Sequence, residues 1–371
     1  MKDRNWLEVD VGAVRSNIRL ARSCIGDKKL IGIVKADCYG LGAKLALYLE
    51  DMLDFFGVAT LDEALYLRRV GICKDILVLG GVKVEKANIN KAIKNNVTLS
   101  LSDCESASNC DALAREIKER LKVHLAVDSG MSRWGFLLEK EDIEKVFSLE
   151  NLDIEGVYSH LVKADEKNDD KSAAQIRVFS KLCERLKKNT GFDGLTHILN
   201  SAGIFRYPDA YGNAARLGIA MYGYAPSEYF EKTGLEECVR WYARIMSVRR
   251  VKKGTGVSYG STYVSEKDTT LATVAAGYAD GYPRVLSGRA QVFFNEKTYP
   301  VVGRVCMDQF VINAGDDDLK TGDIVELAGK NIRVAEIARK CDSINYEILS
   351  RISKRTERFY INVPDKNKNT H

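Results

Sequence analysis

The strongest constraint on this chain is a rhythm. Short, unbroken apolar runs recur at 31–34, 55–59, 76–80, 97–101, 123–127, 154–160, 196–199 and 214–218. Amphipathic stretches such as 62–69 and 172–187 lie between them. A strand that is apolar on both faces, not alternately, belongs to a parallel sheet covered by helices. Each parallel strand needs a crossover of helical length to reach the next, which the intervening stretches supply. Eight strand–helix units are the number that closes such a sheet, so the expected fold is α/β, a TIM-like (β/α)8 barrel.

The rhythm has a different prelude and a different sequel. Trp6-Leu7-Glu8-Val9-Asp10 alternates like a strand, and Val11, Val14, Ile18 and Ala21 follow at helical spacing. After Pro226 the chain reads as strands and turns, with Trp241 to Val248 as one strand, a hairpin signal at Asn295-Glu296 and a further run at 301–309. Short helices are expected near 334–341 and 346–353. The expected organisation is a barrel over 10–232 and a mostly β C-terminal domain over 233–371, with strand 1–9 packing on the second. The tail from Pro364 onward is polar and expected to fray.

Bulk properties exclude several classes. A chain of 371 residues holds about two domains and needs no staple. Its net charge of +5 is spread along the chain, not gathered in a block, which argues against a nucleic-acid partner and mildly for anionic small molecules. No apolar run is long enough to span a bilayer, and no hydrophobic signal region follows the N-terminus, so a cytoplasmic protein without a membrane partner is expected. The nine cysteines are scattered, with no CxxC pair, and suit neither a disulfide framework nor a zinc site. No metal is expected, and the cysteines read as reduced thiols.

Chemistry in barrels of this kind sits at the carboxyl ends of the strands. Lys35 ends the first strand, Asp128 and Arg133 follow the fifth, His160 ends the sixth, Ser201 follows the seventh and Arg216 ends the eighth. Each alone has an ordinary reading: a solvated lysine, a capping serine, an arginine in a structural ion pair. Lys35 also has a reactive one. Cations nearby and loss of water lower an amine's pKa, and a neutral amine condenses with an aldehyde to give a Schiff base.

The motifs that carry these residues match a known family in order. They are Ile31-Gly32-Ile33-Val34-Lys35-Ala36-Asp37-Cys38-Tyr39-Gly40, Asp128-Ser129-Gly130-Met131-Ser132-Arg133, Tyr158-Ser159-His160, Asn200-Ser201, Arg216-Leu217-Gly218-Ile219 and Val257-Ser258-Tyr259-Gly260. From Trp6 to about Val363 the chain resembles the alanine racemases, enzymes that use pyridoxal 5'-phosphate. The resemblance implies interconversion of L- and D-alanine, supplying D-alanine for peptidoglycan, by two bases on opposite faces of the α-carbon, Lys35 and Tyr259. It implies support for Tyr259 from His160 and Arg216, with Arg216 also meeting the cofactor's ring nitrogen. Cofactor binding is implied for Lys35, Tyr39, Ser201, Arg216, Gly218, Ile219 and the position of Lys354. Substrate binding is implied for Arg133, Met307 and Asp308, and an entrance lining for Asp165, Tyr278, Arg284 and Arg304. The family shares its active sites across a homodimer.

Two departures bear on substrate. Ala126 stands where the family often has a carbamylated lysine that orients the arginine matched by Arg133, and Lys354 stands where a tyrosine touches the phosphate and narrows the pocket. The second leaves a serine or broad-specificity racemase open. A decarboxylase on the same barrel normally places an acid, not an arginine, at the ring nitrogen. A non-catalytic carrier of the cofactor would leave the β domain without a purpose.

Overall fold

The computed structural model describes residues 3–138 and 142–365. The end of the polar tail lies outside the described residues. The chain divides into two compact units, Val14–Cys38 with Ala43–Glu236, and Met1–Ala13 with Tyr39–Gly42 and Glu237–His371.

The chain opens with strand β1 (Asn5–Asp10) and the helix Val11–Ile25. Eight parallel strands then close into a barrel: β2 (Lys29–Ile33), β3 (Phe55–Val58), β4 (Asp75–Val78), β5 (Val97–Leu101), β6 (Leu121–Ala126), β7 (Leu152–Tyr158), β8 (Leu195–His197) and β9 (Ala214–Leu217). The expected barrel is therefore present, with its ring shut by β2 against β9 at Ile31–Arg216 and Gly32–Leu217. Strands such as β3 and β5 are buried at every residue, which is why their sequences show no alternation.

The helices begin and end where local chemistry dictates. In Leu61–Val70, Thr60 and Glu63 form a reciprocal capping box, and Gly71 ends the helix in the left-handed conformation. Asp103 caps Cys104–Ile117 through the Ser106 N–H. Close approach explains one strand glycine: a Cβ on Gly156 would lie 2.5 Å from the His124 ring.

The second unit is built on an eight-stranded sheet. Its strands are β1, β10 (Val239–Val251), β13 (Thr269–Val274), β14 (Gln291–Phe294), β15 (Lys297–Val302), β16 (Phe310–Gly315), β17 (Ile324–Ala328) and β18 (Glu357–Ile361); β11 (Gly256–Val257) and β12 (Tyr263–Val264) form a separate ribbon. The 13-residue β10 serves three neighbours. Its first half pairs with β1 and β17, and beyond an irregularity between Ile245 and Ser247 it pairs with β13. Between β14 and β15, Asn295 and Glu296 both have positive φ, the geometry a two-residue hairpin requires. Trp241, Tyr282 and Phe310 form the aromatic centre, with ring centroids 5.9 and 4.7 Å apart along the series.

Candidate active site

Lys35 stands two residues past the end of β2, and the chain after it turns the wrong way. Ala36, Asp37, Cys38 and Tyr39 have φ of 51°, 56°, 54° and 54°, four successive L-residues in the left-handed region. Each such residue costs roughly 1–2 kcal/mol because Cβ crowds the next carbonyl oxygen. The turn is held from within the barrel unit. Glu63 accepts the Ala36 N–H through Oε1 at 2.7 Å and the Ala59 N–H through Oε2 at 2.8 Å, so one carboxylate ties the ends of β2 and β3 together. Asp37 accepts the Ala43 N–H at 2.8 Å, and Cys38 donates to the Val34 carbonyl at 3.0 Å. Sequence reasoning missed Glu63, although Thr60-Leu61-Asp62-Glu63 carries a visible capping-box signature.

Much of the Lys35 side chain is open to solvent, yet its pKa is lowered. Desolvation at the rim is the largest cause; Arg133 and Arg216 lower it further, and Glu63 opposes them. Two cations thus bias Lys35 toward the neutral, nucleophilic amine.

Arg216 is the deepest charge of the site. It is 3% exposed, and no carboxylate pairs with it among the described residues. Instead Nη1 donates to His197 Nδ1 at 2.7 Å and to the His197 carbonyl at 3.0 Å. Nη2 donates to the carbonyl of Ser159 at 2.7 Å and to His160 Nδ1 at 3.1 Å. The ring of Tyr158 lies 5.4 Å from the guanidinium carbon. Burial draws the Arg216 pKa down to about 10, so it remains a cation near neutrality. Its Nε–H is the one donor with no acceptor among the described residues. Burial, then Arg216, Arg133 and Lys35, push His160 down to about 3, so it is a neutral imidazole. Since arginine cannot accept, His160 Nδ1 is bare and its proton sits on Nε2.

The loop after β6 that carries Arg133 is shaped by Asp128, whose Oδ1 accepts the N–H groups of Gly130, Met131 and Ser132 at 2.8–3.1 Å. The Arg133 side chain is exposed, and no group among the described residues bonds its guanidinium. Ala126 is buried and offers nothing in place of a lysine.

The ends of β8 and β9 meet around Ser201. Ser201 is 5% exposed, and its Oγ accepts the Gly218 N–H at 2.9 Å and the Ala220 N–H at 3.4 Å. Asn200 caps the helix Ser201–Arg206, and the Ile219 N–H opens a short 3-10 turn, so both chain starts present amides with no carbonyl of their own turn to bond. Asp165, in the loop after β7, takes a hydrogen bond from Ser227 on its carbonyl.

The remaining sites expected from the sequence lie in the β unit. Tyr39 is 7% exposed, its ring 6.1 Å from that of Tyr346, and burial raises its pKa. Tyr259, by contrast, is 72% exposed. It follows Ser258, whose Oγ donates to the Arg304 carbonyl at 2.7 Å, and the Arg304 guanidinium lies 3.5 Å from where a Cβ on Gly260 would stand. Met307 is exposed, and its N–H has no acceptor among the described residues. Its carbonyl accepts the Ala279 N–H at 3.0 Å, and the Cys306 carbonyl accepts that of Tyr278 at 3.1 Å, which joins the Tyr278 loop to the Met307 loop. Asp308 takes Arg355 Nη2 at 2.8 Å, and the same guanidinium grips buried Asp280 through Nε at 2.6 Å. Arg355 was not foreseen, and no sequence pattern marks it. Arg284 opens a short turn whose Ser287 hydroxyl accepts the Val305 N–H at 2.9 Å. Lys354 is exposed, beside Arg355.

Comparison with known proteins places these features in context. The family described as alanine racemase, N-terminal domain, matches residues 9–226, and alanine racemase, C-terminal domain, matches residues 238–360. The alanine racemase of Desulforamulus reducens is 37% identical over 371 residues, spanning 97% of this chain and 100% of that protein. Among solved structures, the alanine racemase of Clostridium difficile 630 superposes with a TM-score of 0.92 at 33% identity, covering 97% of this chain and 96% of that one. The alanine racemase of Bartonella henselae, with covalently bound pyridoxal phosphate, superposes with a TM-score of 0.87 at 29% identity, covering 96% and 99%.

Proposed function

Because this chain belongs to the alanine racemase family, we propose that it is a pyridoxal 5'-phosphate-dependent racemase interconverting L- and D-alanine. The donor set at the barrel rim fits that cofactor. Lys35 is an amine biased toward its neutral form, suited to the aldehyde. Ser201 with the backbone of Gly218 and Ile219 suits the phosphate; Tyr39 and the amine of Lys354, which belong to the second unit, are assigned to it from the family resemblance alone. The uncommitted Nε–H of Arg216 suits a ring nitrogen that accepts without being protonated. When bound, the cofactor supplies an electron-withdrawing ring that acidifies the substrate's α-carbon.

The chain's own residues then divide the proton work. Lys35 Nζ removes or returns the α-proton from one face, and Tyr259 Oη does so from the other. A free phenol has a pKa of about 10, so Tyr259 needs a donor and a nearby positive charge to serve as a base. His160 offers an Nε2–H and Arg216 the charge. Arg133 and the open Met307 N–H receive the substrate carboxylate, Asp308 helps to hold the Met307 loop, and Asp165, Tyr278, Arg284 and Arg304 line the entrance. A 72%-exposed Tyr259 and an open Met307 amide, on loops that meet where Ser258 Oγ lies 3.3 Å from Cys306 Sγ, suit a surface offered to another molecule, and we assign Tyr259 to the barrel of a second copy in a homodimer. The barrel domain is assigned to 10–232 and the β domain to 233–371 with strand 1–9. The activity would supply D-alanine for peptidoglycan, in the cytoplasm.

The observation that carries this reading is Arg216, a buried cation that has no carboxylate partner, and no acceptor for its last donor, among the described residues. It also argues against a decarboxylase, which would need an acid there. In Lys35→Ala, mass spectrometry after borohydride reduction is expected to show no covalently held cofactor, and racemisation is lost; retained racemisation overturns the assignment. Tyr259→Phe is expected to keep the cofactor and to slow racemisation from both enantiomers, since each turnover needs one base to remove the proton and the other to return one. Exposed Lys354 favours one second reading, racemisation of serine. If it holds, Lys354→Tyr lowers the ratio of serine to alanine turnover, and an unchanged ratio removes it.

A further inference from the structure

The sequence holds four histidines, and three of them, His124, His160 and His197, converge on Arg216 from β6, the end of β7 and β8. His160 has a place in the reaction proposed above. His197 and His124 do not, yet both are 0% exposed, deep inside the barrel.

Their hydrogen bonds can have only one direction. Arg216 is always a donor, so His197 Nδ1, 2.7 Å from Nη1, is a bare nitrogen. A neutral imidazole with a bare Nδ1 carries its proton on Nε2, and His197 Nε2 lies 3.0 Å from His124 Nδ1. His124 Nδ1 must therefore accept, which puts the proton of His124 on Nε2. That nitrogen is buried and has no partner among the described residues. Leaving a donor unsatisfied in a protein interior is unfavourable, and an apolar side chain would avoid the loss. The fold also makes room for the ring, since any Cβ at Gly156 would strike it. A group kept under these conditions is explained by its other nitrogen. Tyr158 completes the frame, stacked on His197 with centroids 4.9 Å apart and planes 4° from parallel.

We propose that His124 is a positioning residue for Arg216, acting through His197. The directed chain Arg216 to His197 to His124 fixes the rotation of the guanidinium, and with it the line along which Nε–H is offered. The deepest histidine thus determines how the arginine at the rim presents its last donor. The functional consequence rests on the racemase reading; the tautomers do not.

The test uses the full-length protein with histidine ring nitrogens labelled with nitrogen-15, before and after loading with pyridoxal phosphate. In the wild type, His124 and His197 should each show a protonated Nε2 and a bare Nδ1. A His197 with its proton on Nδ1, or with both nitrogens protonated, overturns the proposal whatever the activity. His124→Asn keeps an acceptor where Nδ1 was and is expected to preserve the His197 signal and near-normal turnover. His124→Leu removes the acceptor, and His124→Gln carries its amide one atom too far. In either, His197 should lose its single tautomer and kcat for alanine should fall about fivefold, with KM changing less, as expected for the loss of one neutral hydrogen bond that matters in the transition state. An unchanged His197 signal and unchanged kcat in both Leu and Gln variants would overturn it. Should those variants fail to fold, the wild-type tautomers still decide. A wild type with the expected tautomers but no racemisation of alanine would count against the functional reading and leave the hydrogen-bond chain standing.

Discussion

Replacing Ala36 by glycine should stabilise this protein, the reverse of what alanine-to-glycine exchanges ordinarily do. Ala36 has φ 51° and ψ 48° and is exposed, so its methyl group contributes crowding and little packing. Relief of that crowding is worth about 1–2 kcal/mol. Glycine's greater freedom in the unfolded chain takes back about 0.5–1 kcal/mol. The net gain is about 0.5–1 kcal/mol, or roughly 1–4 °C in the midpoint of thermal unfolding for a unit of this size. The bonds that hold the turn, from the Ala36 N–H to Glu63 and from the Ala43 N–H to Asp37, do not involve the methyl and survive the change. The assay is urea and thermal unfolding of the cofactor-free protein. Ala112→Gly, in the middle of the helix Cys104–Ile117, serves as a control and should lose about 1 kcal/mol. Should Ala36→Gly destabilise by as much as the control, Lys35 would not be followed by a left-handed turn, and the argument would fail.

Two further outcomes follow from the charges. Arg355→Ala removes the short ion pair of the buried Asp280 carboxylate, which retains the Gly277 N–H and Arg4 Nη2 at 3.9 Å. Breaking a buried pair costs about 3–5 kcal/mol, and the exposure of Arg355 reduces this to about 2–3 kcal/mol; urea midpoints should show the loss in Arg355→Ala and its partial recovery in Arg355→Ala with Asp280→Asn, whereas a loss below about 1 kcal/mol would refute the role. Lys35 has a lowered pKa in the folded protein, so the folded state binds fewer protons there than the unfolded state and this group's contribution to stability rises with pH until both states are neutral. Lys35→Met should therefore be more stable than the wild type at pH 7 without cofactor, by a margin that narrows as pH rises through the lowered pKa; a margin that stays constant or widens refutes the shift.

How much of this was legible in the sequence depends on whether a feature is local. The barrel strands were, because a strand buried on both faces, such as Val97–Leu101, has an apolar run as its signature. The hairpin at Asn295-Glu296 was as well, since few residues accept positive φ at two successive positions. The left-handed turn was not: Ala36-Asp37-Cys38-Tyr39 contains no glycine, and Glu63, Asp37, the Cys38 N–H on the Val34 carbonyl and the burial of Cys38 help to hold it in that shape. His124 and His197 are 73 residues apart in sequence, and only closure of the barrel through β6, β7 and β8 brings their rings to 5.2 Å. In the sequence no motif singles out either residue. The grip of Arg355 on Asp280 and Asp308 depends on irregular loops, where no periodicity exists to be read.

The most direct test of the central claim is optical. Purified protein with added pyridoxal phosphate is incubated with L-alanine, and in a parallel cell with D-alanine, while optical rotation is followed. The account predicts decay to zero from both sides, since the two enantiomers have equal free energy, and no decay in Lys35→Ala. Rotation that persists in the wild type while mass spectrometry shows the cofactor bound to Lys35 would contradict it.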